Sequence, residues 1–197
     1  MTTGSATPFD RPYFNLILVG TEGGRLFPTG RLIAERCGAT FFAVELELRA
    51  REGHSAEDLR ALYGIAHLRR AELSIARELI LRRGTVIGIS SATLADVETR
   101  DKLAAAGTLL ALTCNLDETL RRSYISQGAQ FHDPANRAVV LERIVRDRQA
   151  LQAVPIHTID TTRSTVEAVA DQALHYWRTH DQSLITPQVP SLTRPDV

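Results

Sequence analysis

Short runs of consecutive apolar residues alternate along the chain with longer stretches in which apolar positions recur every three or four residues. The runs are Phe14–Val19, Thr40–Val44, Thr85–Ile89, Thr108–Thr113 and Pro155–Asp160. Strands buried on both faces read this way, without polar alternation. Between them, helical spacing predicts helices at about Pro28–Cys37, Ser55–Arg83, Ala95–Ala106, Asp117–Ser123, Arg137–Gln152 and Ser164–Trp177. In the long second stretch the spacing is carried by Leu59, Leu62, Ile65 and Leu68, with a break at Gly64. Ser55, three residues before Asp58, predicts a capping box with Asp in place of Glu. Glu45 and Glu47 read as the end of the second strand. Ser126–Asn136, with Gly128, Asp133 and Pro134, reads as a mobile loop. Five strands alternating with helices predict a three-layer α/β/α fold around a five-stranded parallel sheet. Ligands in such sheets bind at the carboxyl ends of the strands. Those ends carry Gly20–Thr29, Glu45 and Ser90–Ser91.

The first of these ends reads G-T-E-G-G-R-L-F-P-T. A strand, a glycine-rich turn and a helix form the context of the phosphate-binding loop G-x-x-x-x-G-K-[ST]. Laid over that signature from Gly20, the second glycine becomes Arg25, the lysine Leu26 and the Ser/Thr Phe27. Such a loop points backbone N–H groups and the positive end of a helix at phosphate oxygens. Its lysine neutralises the outer phosphates and its hydroxyl holds Mg²⁺. Leu26 and Phe27 do neither, and Glu22 adds a carboxylate facing the triphosphate. Arg25 carries charge but also a Cβ where glycine's freedom is needed. The only lysine in the chain is Lys102. Gly20, Gly23, Gly24 and Arg25 are the candidate nucleotide-loop residues.

Composition narrows the picture. A chain of 197 residues with 44% hydrophobic content buries one full core. It divides into a flexible segment 1–12, one domain over 13–180 with a lid-like loop at about 123–136, and a proline-containing tail over 181–197. Basic and acidic residues balance at 23 each, which favours neither nucleic acid nor a membrane surface. The start lacks the apolar core of a signal peptide, and no apolar run spans a bilayer. Two scattered cysteines, Cys37 and Cys114, suit a reducing cytoplasm, and no His or Cys spacing fits a metal site.

The order of motifs resembles the shikimate kinase family, P-loop kinases of the nucleoside-monophosphate-kinase type, over roughly Asn15 to Trp177. The resemblance is carried by N-L-I-L-V-G at Asn15–Gly20 and G-R-L-I-A-E-R-C-G at Gly30–Gly38. Phe41–Phe42 precede the position of the family's D-x-D, here Ala43-Val44-Glu45. L-R-R-A-E at Leu68–Glu72 is similar to the family's F-R-x-x-E, and D-x-E-T-R recurs at Asp96–Arg100. L-D-E-T-L-R-R at Leu116–Arg122 leads towards a lid, and Arg148, in R-D-R-Q-A-L, falls near the arginine before the family's P-L-Y.

The resemblance implies a shikimate-kinase-like fold. It implies a substrate site in which Arg69 and Arg148 grip a carboxylate, Glu45 takes hydroxyls and Glu72 orients Arg69. It also exposes losses. The first aspartate of D-x-D is Ala43, the triple glycine after the third strand is Ser90-Ser91-Ala92, and the lid arginines are missing from Ser123–Pro134. Phosphoryl transfer rests on positioned charge, and charge is what is missing. The expectation is a shikimate-kinase-like pseudoenzyme without catalytic residues, metal or cofactor. It would serve as a structural, accessory or regulatory subunit bound to a protein partner. The alternatives are a sensor of a small aromatic or hydroxylated carboxylate, and a divergent active shikimate kinase, which alone would need ATP and Mg²⁺.

Overall fold

The computed structural model describes residues 12–185. The expected segment 1–12 therefore lies outside it except for Pro12, and so does the tail beyond Ile185.

Five strands, β1 (Asn15–Gly20), β2 (Phe41–Ala43), β3 (Val86–Ser90), β4 (Gly107–Thr113) and β5 (His157–Asp160), form one parallel sheet in the order β2-β3-β1-β4-β5. Seven α-helices accompany them among the described residues: α1 (Leu26–Cys37), α2 (Val44–Glu52), α3 (Ala56–Leu79), α4 (Val97–Ala106), α5 (Leu116–Gln127), α6 (Pro134–Gln152) and α7 (Val166–Ile185). The expected three-layer architecture is present. Strand side chains alternate between two cores, as a period of two requires. Leu16 and Leu18 of β1 pack towards α1 and α7, around Ile33, Leu174 and Trp177. Ile17 and Val19 pack the other way, with Leu48, Leu59, Leu79 and Leu103 from α2, α3 and α4.

Local signals in the sequence account for most boundaries. The capping box forms: the Asp58 N–H donates to Ser55 Oγ at 3.1 Å, and the Ser55 N–H to the Asp58 carboxylate at 3.2 Å. Gly64, at φ 81°, breaks α3 where expected.

Three expectations are corrected. Glu45 and Glu47 do not end a strand; they lie in the first turn of α2, which starts at Val44. Carboxylates are favoured there by the positive end of the helix dipole. The expected mobile loop is largely helical. Helix α5 runs to Gln127, a 3₁₀ turn covers Gly128–His132 and α6 begins at Pro134. Its turn residues punctuate helices rather than form a loop: Gly128 closes α5 at φ 57°, Asp133 caps α6 through the Ala135 N–H, and Pro134 opens it. Phe131 anchors this turn in a small core with Val140 and Ile144. The last helix runs eight residues past Trp177, to Ile185.

Asn15 ties the start of β1 to the turn before β3. Its Nδ2 donates to the Arg82 carbonyl at 2.8 Å, and its Oδ1 accepts from the Thr85 N–H at 3.2 Å and the Thr85 hydroxyl at 3.0 Å. Asn15→Ala leaves both Thr85 donors buried without an acceptor. The expected loss of stability is about 2–3 kcal/mol, measured by urea denaturation. A change within experimental scatter would show that water replaces the side chain.

Candidate functional site

Pairing in register brings Gly20, Ser90 and Leu112 to one level at the carboxyl end of the sheet. From there Thr21–Arg25 turns into α1. Gly23 adopts φ 74°, and a Cβ on it would come within 3.1 Å of the Thr119 backbone. A Cβ on Gly24 would meet the Leu112 carbonyl at 2.5 Å. Both glycines are therefore required by the shape of the loop. Arg25 is the non-glycine residue with positive φ among those described, at 59°, and it caps α1 from a left-handed conformation. The backbone of a phosphate loop is present.

Its side chains are engaged within the protein. Arg25 donates to the Ser164 carbonyl at 3.1 Å. Glu22, expected to face the triphosphate, instead takes bonds from Ser123 Oγ and the Arg143 guanidinium, each at 3.2 Å. The Glu22 N–H, a donor of the kind such loops offer to phosphate, donates to the Asp147 carboxylate at 2.6 Å. Asp147 also accepts from the Ser91 hydroxyl. Burial pushes the Asp147 carboxyl above its ordinary value, against the pull of these two hydrogen bonds. Ser91 is 1% exposed and bonded to Asp147 of α6. Arg122 ties the loop to the segment after β5, donating to the Gly23 carbonyl at 2.6 Å and the Thr161 carbonyl at 2.7 Å. A cavity of about 100 Å³ remains beneath α6, lined in part by Thr21, Glu22, Thr113, Cys114, Asp147 and Arg148.

The expected substrate residues divide in two. Glu45 on α2 and Arg69 and Glu72 on α3 come together, close enough for the charges of Glu45 and Arg69 both to act on Glu72. Arg148 on α6 lies instead at the cavity beside the loop. Asp147 was not singled out in the sequence, although its spacing marks it. Val140, Ile144, Asp147 and Leu151 fall on one face of α6, and an acid on an apolar face needs a partner.

Burial, then the charge of Glu45, raise the Glu72 carboxyl from 4.5 to about 6, while Arg69 opposes the rise. The folded state therefore holds the Glu72 proton more tightly than the unfolded chain. The stabilisation is complete below pH 4.5 and is lost as pH rises through about 6. Glu72→Gln is expected to raise stability at pH 7 by about 1–2 kcal/mol relative to wild type. The gain should vanish at pH 4, a difference read from urea midpoints at the two pH values.

The comparisons agree with this architecture. A family model described as shikimate kinase matches residues 28–178, starting just past Leu26 and Phe27. A shikimate kinase of Chromobacterium violaceum is 27% identical over 180 residues, 91% of this chain and 95% of that protein. The structure of the Acinetobacter baumannii shikimate kinase in complex with shikimate superposes with a TM-score of 0.70. It is 21% identical and covers 88% of this chain and 96% of its own. The Bacteroides thetaiotaomicron shikimate kinase gives 0.72 at 13% identity, covering 84% and 98%.

These matches overturn the expectation that the chain uses no cofactor, because shikimate kinases depend on ATP and Mg²⁺. The residues present fit that donor only in part. The turn and the α1 N-terminus suit phosphate, but Leu26 offers no cation and Phe27 no hydroxyl for a metal. With the family model covering 28–178 and the fold and loop placed as above, the chain belongs to the shikimate kinase family.

Proposed function

We propose that this protein takes a hydroxylated carboxylate of the shikimate class at the Glu45–Arg69–Glu72 face. With ATP as phosphoryl donor, it carries out the family's transfer to a substrate hydroxyl at a much reduced rate. The observation that supports this most is that Glu45 and Arg69 both lie close enough to act on Glu72, in a chain that keeps the strand–turn–helix frame. An arginine in such a group can pair with a carboxylate, and its acids can accept hydroxyl hydrogen bonds. The reduced rate follows from Leu26, Phe27 and Ala43. Each stands where a kinase of this type places a charged or polar group, and one such group is worth about 10²–10³ in rate.

The test is shikimate-dependent ADP formation by the purified full chain, paired with calorimetry for shikimate. Slow turnover that requires shikimate is expected, and Arg69→Ala should raise KM at least tenfold. ADP release that ignores shikimate, with no calorimetric binding of the acid, would reject the proposal.

A second reading is favoured by the Asp147 carboxylate on the Glu22 N–H: a protein that binds the acid without turnover and serves as an accessory or regulatory subunit. Exposed Tyr124 and Ile125 on α5 and Leu141 and Val145 on α6 offer apolar surface for the protein partner this reading requires. Shikimate binding with no ADP formation under any condition would select it.

A further inference from the structure

A loop of this kind binds phosphate by offering backbone N–H groups to anionic oxygens. Here one of those N–H groups already has an anion. The Asp147 carboxylate reaches down from the buried face of α6 and takes the Glu22 N–H at 2.6 Å, with Ser91 as its second donor. The same residue of the loop is fastened a second time through its side chain. The Glu22 carboxylate is held by Ser123 of α5 and Arg143 of α6, each at 3.2 Å. Residue 22 thus joins the loop to both helices that overlie it. The space left beneath α6, about 100 Å³, is small beside the roughly 300–1,000 Å³ of ordinary ligand pockets. The charges facing Asp147 are Glu22 and Arg143, and Arg148 lines the same cavity.

We propose that Asp147 is an internal anion that latches α6 over the phosphate loop, an autoinhibitory contact that a phosphate-bearing ligand must displace. A carboxylate and a phosphate oxygen compete for the same N–H, so the ligand binds only as α6 lifts. Glu22, paired with Arg143 and hydrogen-bonded by Ser123, is the second fastening and releases with it. This rests on reading the loop as the donor site.

The experiment is calorimetric titration of the full chain and of Asp147→Asn with inorganic pyrophosphate and with ADP, beside shikimate-dependent ADP formation. Asp147→Asn keeps the shape of the side chain and removes its charge. It is expected to bind pyrophosphate at least tenfold more tightly than wild type. Equal or weaker binding by the variant, or none by either protein, overturns the latch. Tighter binding by the variant without shikimate-dependent turnover in either protein sustains the latch and removes the kinase reading. Turnover with equal affinities does the reverse. Hydrogen exchange of the wild-type chain gives a readout that needs no variant. Pyrophosphate should speed exchange of α6 amides if it displaces Asp147, and slowed or unchanged exchange there counts against displacement.

Discussion

Leu26→Lys, made together with Phe27→Ser and Arg25→Gly, is expected to raise shikimate-dependent ADP formation by about 10²–10³ over the wild-type chain. Leu26 and Phe27 are both partly exposed, so the new side chains keep contact with solvent. Leu26 lies over the turn, its Cδ2 2.8 Å from where a Cβ on Gly20 would stand and 3.3 Å from the same position on Gly88. A lysine stem can follow the same path and carry its ammonium past it. Phe27 makes an edge contact with Phe41, the ring centroids 6.4 Å apart, and a serine there opens the face of the loop while giving up that contact. Glycine at position 25 adopts the left-handed conformation that costs a residue with a Cβ about 1–2 kcal/mol. Leu26→Met in the same background gives an unbranched side chain of similar volume without charge and should give no increase. If the triple variant still binds shikimate but turns over no faster than wild type, the loop is not the phosphoryl-donor site.

Trp177→Ala is expected to destabilise the fold by about 3–5 kcal/mol. Trp177 is fully buried in the core shared by β1, α1 and α7, and its indole N–H donates to the Phe14 carbonyl at 3.1 Å. Truncation removes a large packed ring and the hydrogen bond to Phe14. For a chain of this length each kcal/mol lowers Tm by about 2–4 °C, so the midpoint should fall by roughly 10 °C. Trp177 is the one tryptophan in the chain, so the transition has to be followed by circular dichroism rather than fluorescence. Trp177→Phe keeps much of the volume and loses the hydrogen bond, and should be the milder change by about 2 kcal/mol or more. A Trp177→Ala loss under 1 kcal/mol would mean that α7 collapses onto the gap. The consequence reaches the site, because α7 braces α1, the helix the phosphate loop opens into.

The fold was legible because its signals are local. Strands such as Leu16–Val19 are buried on both faces and read as unbroken apolar runs. The break at Gly64 and the Ser55–Asp58 box depend on residues within one or two turns. Misreadings arose where one residue type serves two local purposes. Glu45 and Glu47 can interrupt a strand or begin a helix, and Gly128, Asp133 and Pro134 can mark a loop or the ends of two helices. Burial of Phe131 against Val140 and Ile144 decided the second case.

The candidate site was legible in part for the same reason. The turn at Gly20–Arg25 announces itself by composition, and the absence of a cation at Leu26 and of a hydroxyl at Phe27 is plain in the sequence. The meeting of Glu45 with Arg69 and Glu72 required α2 and α3 to pack together. Asp147 lies 125 positions from the Glu22 N–H it accepts, and Ser91 lies 56 positions from it on the other side of the contact. Local periodicity places Asp147 on the buried face of α6 but says nothing about what it meets. The sequence alone determined the layers, the parallel sheet and the family, because these follow from short-range patterns of burial and residue type. Only the tertiary structure decided that the loop's amide is already held by a carboxylate, because that depends on how one helix lies across the ends of three strands.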